Sequence, residues 1–323
     1  MIYGATGYTG RMAAEHASMA GLKPVLAGRD AACLAMLGER LGCEHRAFAL
    51  GDDAAIEESL GDVALLLNCA GPFQRSARPL MRGAIRSEAH YLDVAAELDS
   101  YRLAQGFDAE ARAAGVMLLP GSGGSVAMLG SLAGRAAEAV DRPVSIAIAM
   151  HVAGSMSRGS AISASESVVD ERLARSDGVL SSCSPASLRD FDFGRGPVEC
   201  FPVTLPDLIT IWEAWRIPNI ATYVLVSGEA FPGGDPGLLP DGPDEAERAA
   251  NRYQAAAEVT GADGRVVRAT LDTVNGYSFT ALAAVEAARR VLAGEAIAGF
   301  QTPAGLFGSG FAETIADTTI SFS

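Results

Sequence analysis

The chain opens on a short apolar run, Met1-Ile2-Tyr3, which turns at once into Gly4-Ala5-Thr6-Gly7-Tyr8-Thr9-Gly10 and then into a helical stretch over residues 11–20. Glycines three apart, between a strand and a helix, leave few folds open. Gly4 permits the tight turn, Gly7 lets a pyrophosphate approach the backbone, and Gly10 lets helix and strand pack closely. The first turn of such a helix presents free N–H groups and a partial positive charge to phosphates. Thr6, Tyr8 and Thr9 complete the candidate cofactor loop. The triplet alone would also suit a glycine-rich turn with no ligand; the strand–helix units that follow weigh against that.

Strand and helix signals alternate to about residue 120. Further strands read at 24–27, 46–50, 63–67, 90–93 and 116–119, and helices at 31–41, 53–60, 77–86 and 98–114. The apolar run 63–67 has the continuous hydrophobicity of a strand buried on both faces. Six strands with crossover helices predict an α/β fold, a Rossmann doubly wound parallel sheet, with ligand at the carboxyl ends of the strands.

That rule gives the strand ends meaning. Gly28-Arg29-Asp30 follows the second strand. A guanidinium there pairs with a 2′-phosphate and stacks on adenine, which favours NADP. Asp30 keeps NAD open, although it also suits an N-cap for the next helix. Asn68-Cys69-Ala70-Gly71-Pro72-Phe73 follows the fourth strand, where Gly71 and Pro72 stop it sharply. The nicotinamide half of a cofactor would pass Ala70, Gly71 and Pro72, with Phe73 as a wall. The alternative is an ordinary loop. Asp93 and Glu97 share the edge after the fifth strand. Two acids there would bind an amine or relay a proton; equally, Glu97 would cap a helix or pair with an arginine.

Composition narrows the function classes. The 323 residues suggest two domains, and 49% apolar against 20% charged content allows a large core. Net charge is −14 with no Lys/Arg block, which argues against a nucleic-acid surface. No apolar stretch reaches the ~18 residues of a membrane span. The chain opens directly on strand and loop, so no signal peptide is expected, and the clipped first strand suggests further residues ahead of Met1. Cys33, Cys43, Cys69, Cys183 and Cys200 are scattered, as suits structural thiols in a reducing, cytoplasmic compartment. His16, His45, His90 and His151 lack metal-ligand spacing, so no metal is expected.

The glycine loop, Ala27-Gly28-Arg29, Asn68 to Phe73 and His90-Tyr91-Leu92-Asp93 occur in that order, and together they resemble the saccharopine dehydrogenase-like family, which includes trans-acting enoyl reductases. Asp192-Phe193-Gly194-Arg195-Gly196-Pro197, Gly276-Tyr277-Ser278-Phe279-Thr280-Ala281-Leu282 and Phe300-Gln301-Thr302-Pro303 extend the resemblance along nearly the whole chain. It implies an NAD(P)-binding domain and a second α/β domain over the nicotinamide. It also implies reduction of an imine or enoyl group, or the reverse oxidation. The loop and Arg29 would hold adenosine and phosphates, and Gly71-Pro72-Phe73 would flank the nicotinamide ribose. Where relatives carry Gly-Phe-Asp and then Pro-Ser-Asp, this chain has Gly121-Ser122-Gly123-Gly124-Ser125-Val126-Ala127-Met128. Ser122 and Ser125, at the start of a helix over 126–139, would bind a substrate carboxylate or phosphate; a glycine-rich hinge is the equal alternative.

The second half reads as a mostly antiparallel sheet with helices on one face, an α+β substrate or dimerisation domain. Residues 143–152 alternate as a half-exposed strand, and a helix opens at Ser155 to Ser160 and runs towards Arg175. Arg158 with those serines would clamp an anion, or serve as a surface cap. His151 reads as packed or surface rather than facing a pocket, and Trp212 and Trp215, between two strands, as core more than pocket. Strands are expected at 189–193, 198–204 and 220–226, and a hairpin around Gly261-Ala262-Asp263-Gly264. The Pro/Gly-rich stretch 231–244 reads as a loop or lid. The helix over 277–292 is expected to return to the first domain. The expected units are 1–122, 123–275 and 276–323.

The leading function is an NADP-dependent reductase of a small-molecule imine or enoyl, with Tyr91, Asp93 or a water as proton donor. No tyrosine has a lysine four residues on, which argues against short-chain-dehydrogenase chemistry. The rival is a non-catalytic NADP-binding sensor or partner-binding protein. A homodimer is expected only from general frequency.

Overall fold

The structure, a computed structural model, describes residues 1–166, 172–183, 187–228 and 235–323. Two sheets share one interior. The first alternates β1 (Ile2–Tyr3), α1 (Tyr8–Met19), β2 (Leu26–Gly28), α2 (Ala31–Leu41), β3 (His45–Ala47), α3 (Asp53–Leu60), β4 (Leu65–Asn68), α4 (Phe73–Arg86), β5 (His90–Asp93), α5 (Leu98–Gly106), α6 (Asp108–Ala113) and β6 (Met117–Leu119). The helices start where the backbone is capped. Asp30 accepts from Cys33 N–H ahead of α2, and Asp52 from Ala54 and Ala55 N–H ahead of α3. α2 ends at Gly42, φ +66°, a left-handed stop.

The chain continues through α7 (Gly124–Glu138), β7 (Pro143–Ala153), α8 (Arg158–Glu166), β8 (Leu173–Ser176), β9 (Val179–Ser182), β10 (Arg189–Asp192), β11 (Pro197–Pro202), α9 (Asp207–Trp215), β12 (Asn219–Ser227), α10 (Glu245–Ala250), β13 (Tyr253–Gly261), β14 (Val266–Thr273), α11 (Gly276–Leu292), β15 (Gly299–Phe300), α12 (Pro303–Phe307) and β16 (Thr319–Phe322). The first sheet is parallel, in the order β15-β6-β5-β4-β1-β2-β3. This is the doubly wound order with a seventh strand added at its edge. The second runs β10-β11-β12-β7-β13-β14-β16, with β8 and β9 attached to β12. It is mixed and mostly antiparallel, since β12 and β7 run parallel.

Leu65 and Leu67 of β4 face α1, α2, α7 and α11, while Leu66 faces α3 and α4. The first of these cores runs on without a break through α7 and α11 to Ile146, Ile148, Val259 and Leu271 of the second sheet. The two sheets are therefore layers of one packed body. Among the described residues no helix is long and apolar enough to cross a membrane.

Three expectations need correction. Arg175 lies on β8, not on a helix, and α8 is described over Arg158–Glu166. Asp177 and Gly178, with φ of +49° and +79°, turn β8 into β9. The expected helix over 98–114 is two helices that meet at Phe107. The terminal segment is divided: α11 packs on α1 and β15 joins the first sheet, but β16 pairs with β14 in the second. Residues 231–234 of the expected lid lie outside the described residues.

Candidate functional site

A cleft of about 940 Å³ runs between the carboxyl edge of the first sheet and the second domain. The glycine loop forms one end. Gly4 has φ +81°, and a Cβ there would meet Ala70 N at 2.8 Å. At Gly10 a Cβ would lie 2.1 Å from Gly4 O, so only glycine lets α1 close on β1. Gly10 thus packs the loop, whereas Gly4, Thr6, Gly7, Tyr8 and Thr9 line the cleft. No side chain caps α1. Its first-turn N–H groups are open to an anion, as a dinucleotide pyrophosphate requires.

Gly28 and Arg29 line the same end. Arg29 is exposed and forms no hydrogen bond or ion pair among the described residues. Asp30 is committed to capping α2. Asp30 also lines this end of the cleft, beside Arg29.

Ala70, Gly71 and Phe73 line the middle; Pro72, joined to Gly71 by a cis peptide, begins α4 without facing the cleft. The turn is braced from behind. Asn68 Oδ1 accepts from Ala70 N–H at 2.9 Å, and its amide donates to Ser76 Oγ and Tyr91 Oη, both at 3.1 Å.

That brace changes the role of two candidates. Tyr91 and Asp93 are fully buried and do not line the cleft. Tyr91 Oη donates to Asp93 Oδ2 at 2.9 Å, while Asp93 Oδ1 accepts from Gly121 N–H at 2.8 Å and Ala95 N–H at 3.0 Å. Burial pushes the Asp93 carboxyl up to about 6, against these N–H donors, and raises the Tyr91 phenol well above its ordinary value. They hold the wall of the cleft and have no path to a substrate. Ser122 belongs to the same brace: it is fully buried, and its hydroxyl donates to Asp93 O at 2.8 Å.

Glu97, Ser125 and Arg158 do face the cleft. Glu97 is 8% exposed; Oε2 accepts from Ala96 N–H, and Oε1 has no partner among the described residues. It occupies the N-cap position of α5 without capping it, and no arginine among the described residues pairs with it. Ser125 lies in the first turn of α7, whose N-cap is Gly123. Arg158 is paired with Asp241.

The opposite wall includes Tyr277 on α11, a residue that the sequence alone did not single out for this site. Tyr277 Oη accepts from Ser157 N–H at 2.7 Å and donates to Ser160 Oγ at 3.1 Å. Its ring meets that of Tyr8 edge-on, with centroids 5.2 Å apart. Tyr253, Thr204 and Thr280 add further hydroxyls. Met150 and Val152 of β7 face the cleft. His151, between them, faces away and shares a hydrogen bond with Ser227 at 2.7 Å. Trp212 and Trp215 pack against the core, outside the cleft. The stretch beginning Gly276-Tyr277 carried part of the family resemblance, the one sequence signal pointing to Tyr277. Ser157 and Ser160 lie 120 and 117 positions from Tyr277, so only folding joins them.

Residues 1–119 match the family model described as the saccharopine dehydrogenase NADP binding domain. The match takes in the whole of the first sheet's β1 to β6 and stops short of the rest of the chain. The resemblance read from the motifs is borne out over these residues. The chain is 29% identical over 105 residues to a trans-acting enoyl reductase of Mycobacterium leprae (strain TN). That match takes in 30% of this chain and 25% of the relative, so the chain spans about a quarter of the relative's length. The whole structure resembles apo saccharopine dehydrogenase (L-Glu forming) from Saccharomyces cerevisiae, with a TM-score of 0.66 at 13% identity, over 100% of this chain and 99% of that one. It also resembles a homospermidine synthase from Legionella pneumophila in complex with NAD, with a TM-score of 0.63 at 10% identity, over 100% and 90% of the two chains. These two likenesses establish a fold common to both layers of the molecule.

Proposed function

We propose that the chain is an NADP-dependent oxidoreductase that reduces an imine or enoyl group of a small metabolite, or catalyses the reverse. The observation that carries this reading is a single cleft that joins an uncapped glycine loop and an Arg29 unpaired among the described residues to an opposite, hydroxyl-bearing wall. A bound nicotinamide supplies hydride chemistry; the protein supplies position and electrostatics. The glycine loop and the α1 N-terminus hold phosphates, Arg29 the 2′-phosphate, and Phe73 walls the nicotinamide side. The hydroxyl of Tyr277, inside the cleft, takes over the proton-holding role that burial denies to Tyr91 and Asp93.

Glu97 favours the imine over the enoyl. An unpartnered carboxylate oxygen at the cleft wall is costly beside an apolar chain and favourable beside a cationic nitrogen. A sensor that binds NADP without turnover is the competing reading.

The first test is NADPH and NADH binding by intrinsic fluorescence, with Arg29→Ala alongside. Tighter binding of NADPH, lost in the variant, followed by NADPH consumption with imine substrates, supports the proposal. Binding of neither cofactor would sink it, and binding without turnover across imine and enoyl panels would leave the sensor.

A further inference from the structure

Two arginines from different halves of the molecule converge on one carboxylate beside the glycine loop. Arg158, at the start of α8, pairs with Asp241, and its guanidinium also donates to Leu239 O. Arg11, one residue past the loop on α1, lies 4.0 Å from the other oxygen of the same carboxyl group. The chain around Asp241 is laid directly on the loop. Tyr8 Oη donates to Pro243 O at 2.5 Å, and Arg248 donates to both Tyr8 Oη and Pro243 O, at 2.8 and 2.9 Å. Gly242 sits so close to the Tyr8 ring that a Cβ there would come within 2.8 Å of it.

We infer that residues 239–243 form a displaceable strap in which Asp241 stands in for the cofactor's pyrophosphate between Arg11 and Arg158. This rests on the dinucleotide reading above and adds a partner and a regulatory contact to that site. The geometry supplies the reason. Asp241 and Arg158 line the cleft together with Gly7, Tyr8 and Thr9, the stretch where a pyrophosphate meets the α1 N-terminus. Arg11 and Tyr8 are three residues apart on α1 and so share one helix face.

The contact is suited to exchange. The side chains of Arg11, Arg158 and Asp241 are 37%, 44% and 53% exposed, so their mutual attraction is weakened by water and salt. A pyrophosphate brings more charge and more acceptor oxygens to the same guanidinium groups. The strap therefore holds Arg158 and Tyr8 ready in the free protein and yields them to the dinucleotide, which must displace Asp241 to gain them.

The test is NADPH affinity of Asp241→Asn, with Asp241→Ser as a second variant and the melting temperature of each as a check on folding. Asp241→Asn is expected to tighten NADPH binding about threefold, the scale of one exposed ion pair. Arg158→Gln is expected to weaken it, and in the Arg158→Gln background Asp241→Asn is expected to change little. Adenosine 2′-monophosphate, which has no pyrophosphate, is expected to bind all variants alike. Unchanged or weaker NADPH binding by Asp241→Asn overturns the strap. Equal tightening of adenosine 2′-monophosphate overturns it too, because that is a general field effect. If neither wild type nor variants bind NADPH, the dinucleotide reading falls and takes this inference with it.

Discussion

At the scale of single residues, burial decides between chemistry and architecture. Tyr91 and Asp93 have the right types at the right strand end, yet their hydrogen bonds are turned inward. Tyr91→Phe should leave NADPH binding unchanged. It should cost about 1–3 kcal/mol of stability in urea titrations, because Asp93 Oδ2 loses its only donor among the described residues. Unchanged stability, or lost cofactor affinity, would overturn that account. Asp207 is a sharper case. It is fully buried at the start of α9 with both carboxylate oxygens unpartnered, and burial pushes its carboxyl up to about 7. Its folded-state value lies above its ordinary 3.8. Its contribution to stability is therefore complete below pH ~4 and is lost as pH rises through 7. Asp207→Asn should be more stable than wild type at pH 8, by on the order of 2–4 kcal/mol, and the gap should close near pH 4. Melting curves at the two pH values decide it; a gap that does not shrink on acidification refutes it.

At the scale of elements, much of the first sheet was legible because its signals are local. The ends of α2 and α3 and the whole of β5 fall where the caps and apolar runs put them. Gly10 carries its information in the same local way. Gly10→Ala should cost about 3 kcal/mol or more and abolish NADPH binding, since the obstructing atom is backbone that cannot rotate away. A variant that melts like wild type would refute this. The hairpin of β8 and β9 was also written locally, in Asp177-Gly178, whose left-handed pair suits a two-residue turn. The expectation of a helix running towards Arg175 missed the strand, Leu173–Ser176, that leads into this turn. Which residues face the glycine loop was not legible from local signals. Tyr277 meets Tyr8, Ser157 meets Tyr277 and Asp241 meets Arg11 across more than a hundred positions, and no window of sequence records which strand end lies above which loop.

At the scale of the whole molecule, the continuous core through α7 and α11 predicts one cooperative unit. Calorimetry should show a single unfolding transition, and NADPH at a hundredfold excess over its Kd should raise stability by about 2.7 kcal/mol and move that transition intact. Two resolved transitions, with only one responding to NADPH, would show the sheets to be separable.

The path of the chain between the two sheets also sets a timetable for synthesis. β6 is complete by Leu119, but the strand that covers its outer edge, β15, is Gly299–Phe300. A ribosome must add roughly 180 residues, ~10–35 s of elongation, before that partner exists. Throughout that interval the nascent first sheet presents an apolar, unpaired edge to everything else being translated nearby. The protein's most hazardous moment thus falls before its final strands are made, and a shortage of chaperones at that stage should lower its yield without altering the finished fold.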